Sequence, residues 1–179
     1  MMTRTRYKIL PGDQNPYFLT STTVNWLPLF KNPEIAQIII DSLIFMASEN
    51  RLTIYAYVLM ENHLHLIASA ENLGNEIASF KSFTARKCID NYKENRNVKI
   101  LQQLSNYKLV HRKDRSYQFW QEGVHPKRII DNTMMQQKIN YIHHNPVRKG
   151  YVDKPELWLY SSARDYSGET GLLEIFKDW

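Results

Sequence analysis

The chain has 179 residues, 43% of them hydrophobic, which is enough for one domain with a substantial core. Its 23 lysines and arginines outnumber 18 acidic residues, and the formal net charge of +5 suits a polyanionic partner. The single cysteine, Cys88, excludes an internal disulfide framework and a cysteine-rich zinc site.

The N-terminal segment carries Arg4, Arg6 and Lys8, and no apolar signal-peptide core follows them. These basic residues predict either a solvated tail or an arm that contacts phosphates. No apolar run in the sequence approaches the roughly 18 residues that a membrane span needs. We therefore expect a cytoplasmic protein without a membrane partner.

Aromatic and β-branched residues are concentrated at positions 17–24, which predicts a first strand. A helix is predicted to begin after Asn32, because its side chain can cap free N–H groups and Pro33 suits the first helical position. Glu34 faces the positive end of the helix dipole. Apolar residues at helical spacing continue this helix to Met46.

Apolar and polar residues alternate at positions 52–60, which predicts a second strand. A turn at Glu61 and Asn62 leads into a partner strand at positions 63–70. Strict alternation would place one set of residues on a single face of the second strand: Leu52, Ile54, Ala56, Val58 and Met60.

An amphipathic helix with a basic side is predicted at positions 75–93. Its side chains Lys81 and Arg86 are candidates for phosphate contact, and simple solvation is the alternative. Residues 94–116 are polar and predict a loop with a short helix, and residues 117–120 predict another strand.

A second long helix is predicted to begin at Asp131, whose carboxylate can cap it, and to run toward Asn145 and Pro146. The order strand, helix, strand, strand, helix, strand, helix fits an α+β domain of the ferredoxin-like (RRM-like) class. Such a domain has an antiparallel sheet with helices on one face, and here a C-terminal helix is added. We expect a single domain over residues 1–179, in which residues 151–179 form a C-terminal extension.

Two histidines lie on the predicted strand that follows the turn. His63 and His65 are two residues apart, so both imidazoles project from one face, while Leu64 and Leu66 point into apolar packing. This spacing places two nitrogen ligands side by side and is compatible with a metal site. A histidine pair alone also occurs as ordinary packing.

Tyr141 lies on the second long helix, one helical turn before His144 and Asn145. A hydroxyl group and a third metal ligand could therefore share one helix face. The alternative interpretation is a core tyrosine beside a polar helix end. Pro146 biases Asn145 away from helical geometry, so the direction of the Asn145 side chain stays open.

Three segments together resemble a known family. Residues 57–66, YVLMENHLHL, resemble the HUH motif of the small single-tyrosine transposases, in which an apolar residue separates two histidines. Residues 141–150, YIHHNPVRKG, resemble the tyrosine-bearing helix of the REP-associated tyrosine transposases. Residues 155–158 and 161–163 resemble the C-terminal segment of the same subgroup. Glu61 departs from the family pattern, which usually has proline there.

The resemblance implies a nuclease and strand transferase that cuts single-stranded DNA near hairpins. It implies a 5′-phosphotyrosine bond at Tyr141 and a divalent metal, Mg²⁺ or Mn²⁺, held by His63, His65 and a polar side chain one turn after the tyrosine. That side chain corresponds to Asn145, with His144 as the competitor. Imidazole ligands suit Mn²⁺, whereas cellular abundance favours Mg²⁺. Relatives act as monomers or as homodimers, and both states stay open.

Further residues have two interpretations each. Arg148 and Lys149 either bind phosphates or complement the negative end of the helix. Trp120, Trp158 and Tyr151 either stack on bases or pack in the core.

The remaining histidines, His111, His125 and His143, are expected on the surface or in packing. The function hypothesis that competes with a transposase is a non-catalytic or domesticated nucleic-acid-binding module of the same fold. A related HUH enzyme of replication or conjugation usually has a longer chain.

Overall fold

The structure, a computed structural model, describes residues 8–10 and 12–179 of the chain. The strands and helices of this part are β1 (Tyr17–Thr22), α1 (Pro33–Ser48), β2 (Thr53–Leu59), β3 (His63–Ser69), α2 (Leu73–Glu94), α3 (Val98–Asn106), β4 (Lys127–Arg128), α4 (Asn132–His143), α5 (Asn145–Arg148) and α6 (Ala163–Ser167). Within the described residues, no helix is long and apolar enough to cross a membrane.

The strands form one antiparallel sheet in the order β2-β3-β1-β4. Both faces of the sheet are buried, because α1 and α2 pack on one face and α4 packs on the other. The first core layer includes Ile39, Leu43, Leu64, Leu66, Ile77 and Phe80. The second includes Phe18, Val58, Ile67, Met135, Ile139 and Ile142. The element order and the sheet confirm the predicted ferredoxin-like α+β fold.

The two helices that were predicted from capping residues begin where the sequence places them. The Asn32 side chain accepts a hydrogen bond from the Glu34 N–H (3.0 Å) at the start of α1. The Asp131 carboxylate accepts one from the Met134 N–H (2.7 Å) at the start of α4. Local hydrogen bonding therefore sets both helix starts, including that of the helix that carries Tyr141.

The predicted faces of the second strand are wrong from Ala56 onward. The pairing of β2 with β3 shifts register between Ile54 and Ala56. Ile54 therefore lies in the core layer beneath α1 and α2, whereas Ala56 and Val58 lie in the layer beneath α4. An irregularity of this kind breaks strict alternation, because one residue more occupies one strand than its partner.

The strand predicted at residues 117–120 is also wrong. Trp120 makes only an isolated bridge to Thr23, and β4 lies later in the chain and pairs with the start of β1. The Trp120 side chain is buried, and its indole N–H donates to the Thr84 hydroxyl (3.1 Å). Its ring also packs against Phe30 and Phe119. The aromatic residues of this segment thus pack in the core instead of forming a regular strand. For Trp120, this agrees with the core-packing interpretation.

The C-terminal part of the chain covers the free edge of β2. The Leu59 N–H donates to the Tyr160 carbonyl (2.8 Å), and the Ser162 N–H donates to the Tyr57 carbonyl (3.1 Å). Further along, the Phe176 N–H donates to the carbonyl of Ile54 (2.9 Å). These bonds occupy backbone groups that an edge strand would otherwise leave open.

The cap of α4 generates a stability prediction. Asp131→Ala should lower the free energy of unfolding by about 1 kcal/mol, because it leaves an N–H of the first helical turn without its acceptor. Asp131→Asn keeps an oxygen acceptor and should retain most of that stability. Urea unfolding followed by circular dichroism measures both, and equal losses in the two variants would contradict the capping role.

Candidate functional site

The histidine pair of β3 lies beneath α4. Strand alternation turns Leu64 and Leu66 toward α1 and α2, and it turns His63 and His65 toward the opposite face. The centroids of the two imidazole rings are 4.6 Å apart. The structure therefore brings the two predicted nitrogen ligands side by side.

A side-chain oxygen holds each imidazole ring at its Nδ1 atom. The Nδ1 of His63 lies 2.7 Å from the Asn62 side-chain oxygen, and the Nδ1 of His65 lies 2.9 Å from the Thr20 hydroxyl. Because the Asn62 oxygen can only accept, the proton of neutral His63 is on Nδ1 and the lone pair is on Nε2. Such a partner fixes the orientation of a metal-ligating imidazole.

Burial keeps both rings in the neutral form. It lowers the pKa of His63 to about 4, and the nearby charge of Lys149 acts in the same direction. It lowers the pKa of His65 to about 3, with further contributions from His63 and Lys138. Both rings are neutral at pH 7, which is the form that can donate a lone pair to a metal.

Tyr141 lies over the same surface, on α4. Its ring centroid is 5.4 Å from that of His65 and 5.8 Å from that of Phe18, and 38% of the residue is exposed. The Arg148 guanidinium lies 4.8 Å from the centroid of the tyrosine ring, and the Lys138 amine lies 5.8 Å from it. Tyr141 is thus partly accessible and has two neighbouring cationic groups that suit a phosphate.

The end of α4 separates the two candidates for a third ligand. The helix ends at His143, and a short helix, α5, begins at Asn145. Asn145 is buried. His144 is exposed, and its Nδ1 donates to the Asn140 carbonyl (3.0 Å). Among the described residues, no three histidine, cysteine, aspartate or glutamate side chains are grouped to hold a metal.

The remaining histidines differ in their surroundings. His143 is buried, its Nε2 lies 2.9 Å from the Ser162 hydroxyl, and its ring packs at 5.0 Å from that of Tyr166. His111 and His125 are exposed. These positions agree with the surface or packing roles expected for all three.

The basic residues proposed to contact DNA lie in different places. Arg148 and Lys149 lie at the site: the Arg148 guanidinium contacts the Tyr141 ring, and the charge of Lys149 helps to lower the pKa of His63. Lys81 lies on α2, where its amine donates to the carbonyls of Gln121 (2.8 Å) and Gly123 (2.7 Å) and burial lowers its pKa to about 8.

Three other candidates remain. Arg86 is exposed on α2, the helix that covers the face of the sheet opposite to the histidine pair. Arg4 and Arg6 lie outside the described residues. Their predicted contacts with phosphates stay predictions.

Glu61, where the sequence departs from the family pattern, forms an ion pair at the turn before His63. The Lys31 amine lies 3.1 Å from its carboxylate. Although partial burial acts against it, hydrogen bonds from Lys31 and Tyr151 lower the pKa of Glu61. Tyr151 in turn stacks on Trp158, with 5.5 Å between ring centroids, and the Trp158 indole N–H donates to the Leu59 carbonyl (3.0 Å).

Sequence reasoning missed the residues that support the histidines and the tyrosine. Thr20 is opposite His65 in the pairing of β1 with β3, so a correct register would have identified it. Asn62 was assigned only to the turn. Phe18, which stacks on His65 at 5.2 Å, and Lys138, whose amine lies 5.0 Å from the Phe18 ring centroid, gave no separate signal.

Comparisons with known proteins identify the fold. No protein-family model matches the sequence, and a search of the curated proteins finds no match. A solved REP-associated tyrosine transposase bound to a REP hairpin is similar, with a TM-score of 0.66 and 16% identity over 98% of this chain and 93% of that chain. The chain has the fold of that transposase. A candidate transposase from Deinococcus radiodurans R1 gives a TM-score of 0.46 and 20% identity over 79% of this chain and 98% of that chain.

The buried histidines make stability depend on pH. Their folded pKa values lie below the unfolded value of about 6.5, so the unfolded state binds more protons at mildly acidic pH. The free energy of unfolding should therefore fall as the pH drops from 7.5 to 5. His65→Gln should reduce this fall by about 1 to 2 kcal/mol.

Urea unfolding at the two pH values, with EDTA present, measures this difference. Thr20→Val is the matched control, because it removes the hydrogen bond of His65 but keeps the titrating ring. An unchanged pH dependence in His65→Gln would show that this ring is not held neutral by burial.

Proposed function

We propose that this protein is a metal-dependent transposase that cuts and rejoins single-stranded DNA near a hairpin through a covalent bond to Tyr141. The observation that carries this proposal is the placement of the Tyr141 ring 5.4 Å from that of His65, on the surface that also presents His63. The shared fold supports it, because the similar solved transposase is bound to a REP hairpin.

The residues present fit a divalent metal. Both imidazoles are neutral and held at Nδ1, so the Nε2 atoms of His63 and His65 would be the ligands. Asn145 is the better candidate for the third ligand, because it is buried whereas the Nδ1 of exposed His144 is occupied by a backbone carbonyl. When bound, Mg²⁺ or Mn²⁺ would polarise the scissile phosphate and stabilise the negative charge that develops on it.

Tyr141 would act as the nucleophile on that phosphate. Its hydroxyl oxygen forms a bond to phosphorus while the bond from phosphorus to the 3′ oxygen breaks, and the attacking and leaving oxygens are in line. The phenol proton passes to solvent, and the 3′ oxygen takes a proton from solvent. Arg148 and Lys138, which lie near the phenol, would attract the phosphate and hold it beside the tyrosine.

The product of this step supports rejoining as well as cutting. A phosphotyrosine retains a phosphodiester bond, so a free 3′-hydroxyl from another strand can attack it and restore Tyr141. The exchange conserves the number of phosphodiester bonds and needs no nucleotide cofactor. This accounts for strand transfer by the same residues that cut.

The proposed site can be complete within one chain. Tyr141 and the histidine pair are brought together by α4 and β3 of the same molecule. A monomer would therefore be sufficient for cleavage, and a homodimer would not need to exchange its tyrosine-bearing helix.

The nucleophile assignment is tested with a labelled single-stranded oligonucleotide that forms a hairpin with unpaired flanks. In the presence of Mn²⁺ or Mg²⁺, the wild-type protein should form a covalent adduct visible on a denaturing gel. Tyr141→Phe should form none and should cut at least about 1,000-fold more slowly, because it lacks the attacking oxygen.

The binding affinity of Tyr141→Phe for the same oligonucleotide is the control and should stay close to that of wild type. Equal cleavage by both proteins would exclude Tyr141 as the nucleophile. Binding without any cleavage by wild type would favour the non-catalytic binding module.

The ligand assignment is tested by calorimetric titration with Mn²⁺. His63→Ala should weaken Mn²⁺ binding at least about 100-fold and abolish cleavage while it leaves most of the DNA affinity, since a direct ligand is lost. Asn62→Ala should weaken Mn²⁺ binding about 10-fold, which is the usual effect of losing a group that orients a ligand. Asn145→Ala and His144→Ala distinguish the third ligand, and only the first should weaken binding.

A further inference from the structure

Trp26 is the most exposed aromatic residue among those that the structure describes. It is 64% exposed, and it follows β1 in a short 3₁₀ turn, Val24–Trp26. The residues on either side of Asn25 and Trp26, Val24 and Leu27, are buried in the core. The turn is therefore anchored in the core while the indole is exposed to solvent. Its large apolar surface does not contribute the stability that a buried tryptophan would.

The backbone that presents Trp26 is strained. Asn25 has φ of 48° and Trp26 has φ of 52°, so two consecutive residues are in the left-handed region. Asparagine tolerates this region, but a bulky tryptophan does so only at a cost in free energy. A Thr23 hydroxyl that donates to the Leu27 carbonyl (2.7 Å) and a Trp26 N–H that donates to the Thr23 carbonyl (3.1 Å) hold the turn closed. Strain that is held in this way is typical of functional positions.

A single side-chain amide connects Trp26 to the histidine pair. The Asn62 side-chain nitrogen donates to the Trp26 carbonyl (3.3 Å), while the Asn62 oxygen accepts from the Nδ1 of His63 (2.7 Å). The backbone that carries the exposed indole and the proposed metal ligand are therefore bound by the same amide.

Trp26 and Tyr141 lie at opposite ends of the histidine pair. Tyr141 packs on His65 and on Phe18, which is near the start of β1. His63 is opposite Thr22 at the other end of that strand, and Trp26 follows beyond it. Along β1 and the segment that follows it, the order is thus the contact with Tyr141, the pairing positions of the two histidines and then the turn that carries Trp26.

We infer that Trp26 is a stacking site for an unpaired base, that of the nucleotide whose 3′-hydroxyl is released. The inference rests on the proposed function and deepens it. In an in-line displacement the leaving 3′ oxygen is opposite the attacking tyrosine, so the strand on its 5′ side extends toward Trp26. The exposed Lys31, five residues after Trp26, pairs through its amine with Glu61, the residue before Asn62. Stacking aromatics beside cations are the usual means of binding single strands.

The test is a binding scan in EDTA, so that no cleavage occurs. The probe is the labelled hairpin oligonucleotide with an abasic residue placed at each unpaired position in turn, and fluorescence anisotropy gives the Kd. Trp26→Ala should weaken binding of the intact oligonucleotide about 5- to 100-fold, as loss of one stacked base does. Trp26→Asn should do the same, and asparagine suits the left-handed backbone, so the turn is kept. Phe45→Ala, which removes an exposed aromatic from α1, should leave the Kd unchanged.

The abasic positions locate the stacked base. In wild type, an abasic residue just 5′ of the cleavage point should weaken binding, and in Trp26→Ala the same change should have no further effect. The inference is overturned if both Trp26 variants bind as wild type does, or if the sensitive position lies 3′ of the cleavage point. A wild-type adduct with unaffected Trp26 variants refutes the stacking alone. A Trp26-dependent abasic position without any adduct refutes the proposed nuclease and leaves the stacking intact.

Discussion

The antiparallel pairing of β1 with β3 determines which side chains meet at the candidate site. In this register Thr20 is opposite His65 and Thr22 is opposite His63, so a hydroxyl is available to orient the more buried imidazole. A slip of one residue would turn Leu64 toward α4 and both histidines toward the core beneath α1 and α2. The buried leucines on one face thus fix the position of the polar groups on the other.

The site is built directly on a core layer. Phe18 belongs to the packed cluster beneath α4, and its ring contacts both His65 and Tyr141. Close packing of this kind leaves the aromatic rings little room to change rotamer, which keeps the tyrosine and the histidine pair in a constant relative position. The same apolar surroundings disfavour charge on the imidazoles, so one packing arrangement supplies both rigidity and the neutral form.

Sequence patterns predicted the features that depend on local rules. Strand alternation gave the common face of the histidine pair, and a capping side chain gave the start of the helix that follows Asp131. Features that depend on distant partners were not predictable. Trp120 is of a residue type that is common in strands, but its side chain packs in the core, where it donates a hydrogen bond to Thr84 and contacts neighbouring aromatic rings. The irregularity in β2 and the turn that exposes Trp26 depend on contacts with residues that are distant in the sequence. The local spacing of apolar residues does not predict such contacts.

The covered edge of β2 has a consequence for how the chain is made. Synthesis proceeds from the N-terminus, so β1, β2 and β3 leave the ribosome well before residues 160–176, which supply the bonds to Ile54, Tyr57 and Leu59. Until those residues arrive, the nascent chain presents an open strand edge to its neighbours. The chain is therefore most prone to misassembly until this late segment binds to the edge of β2.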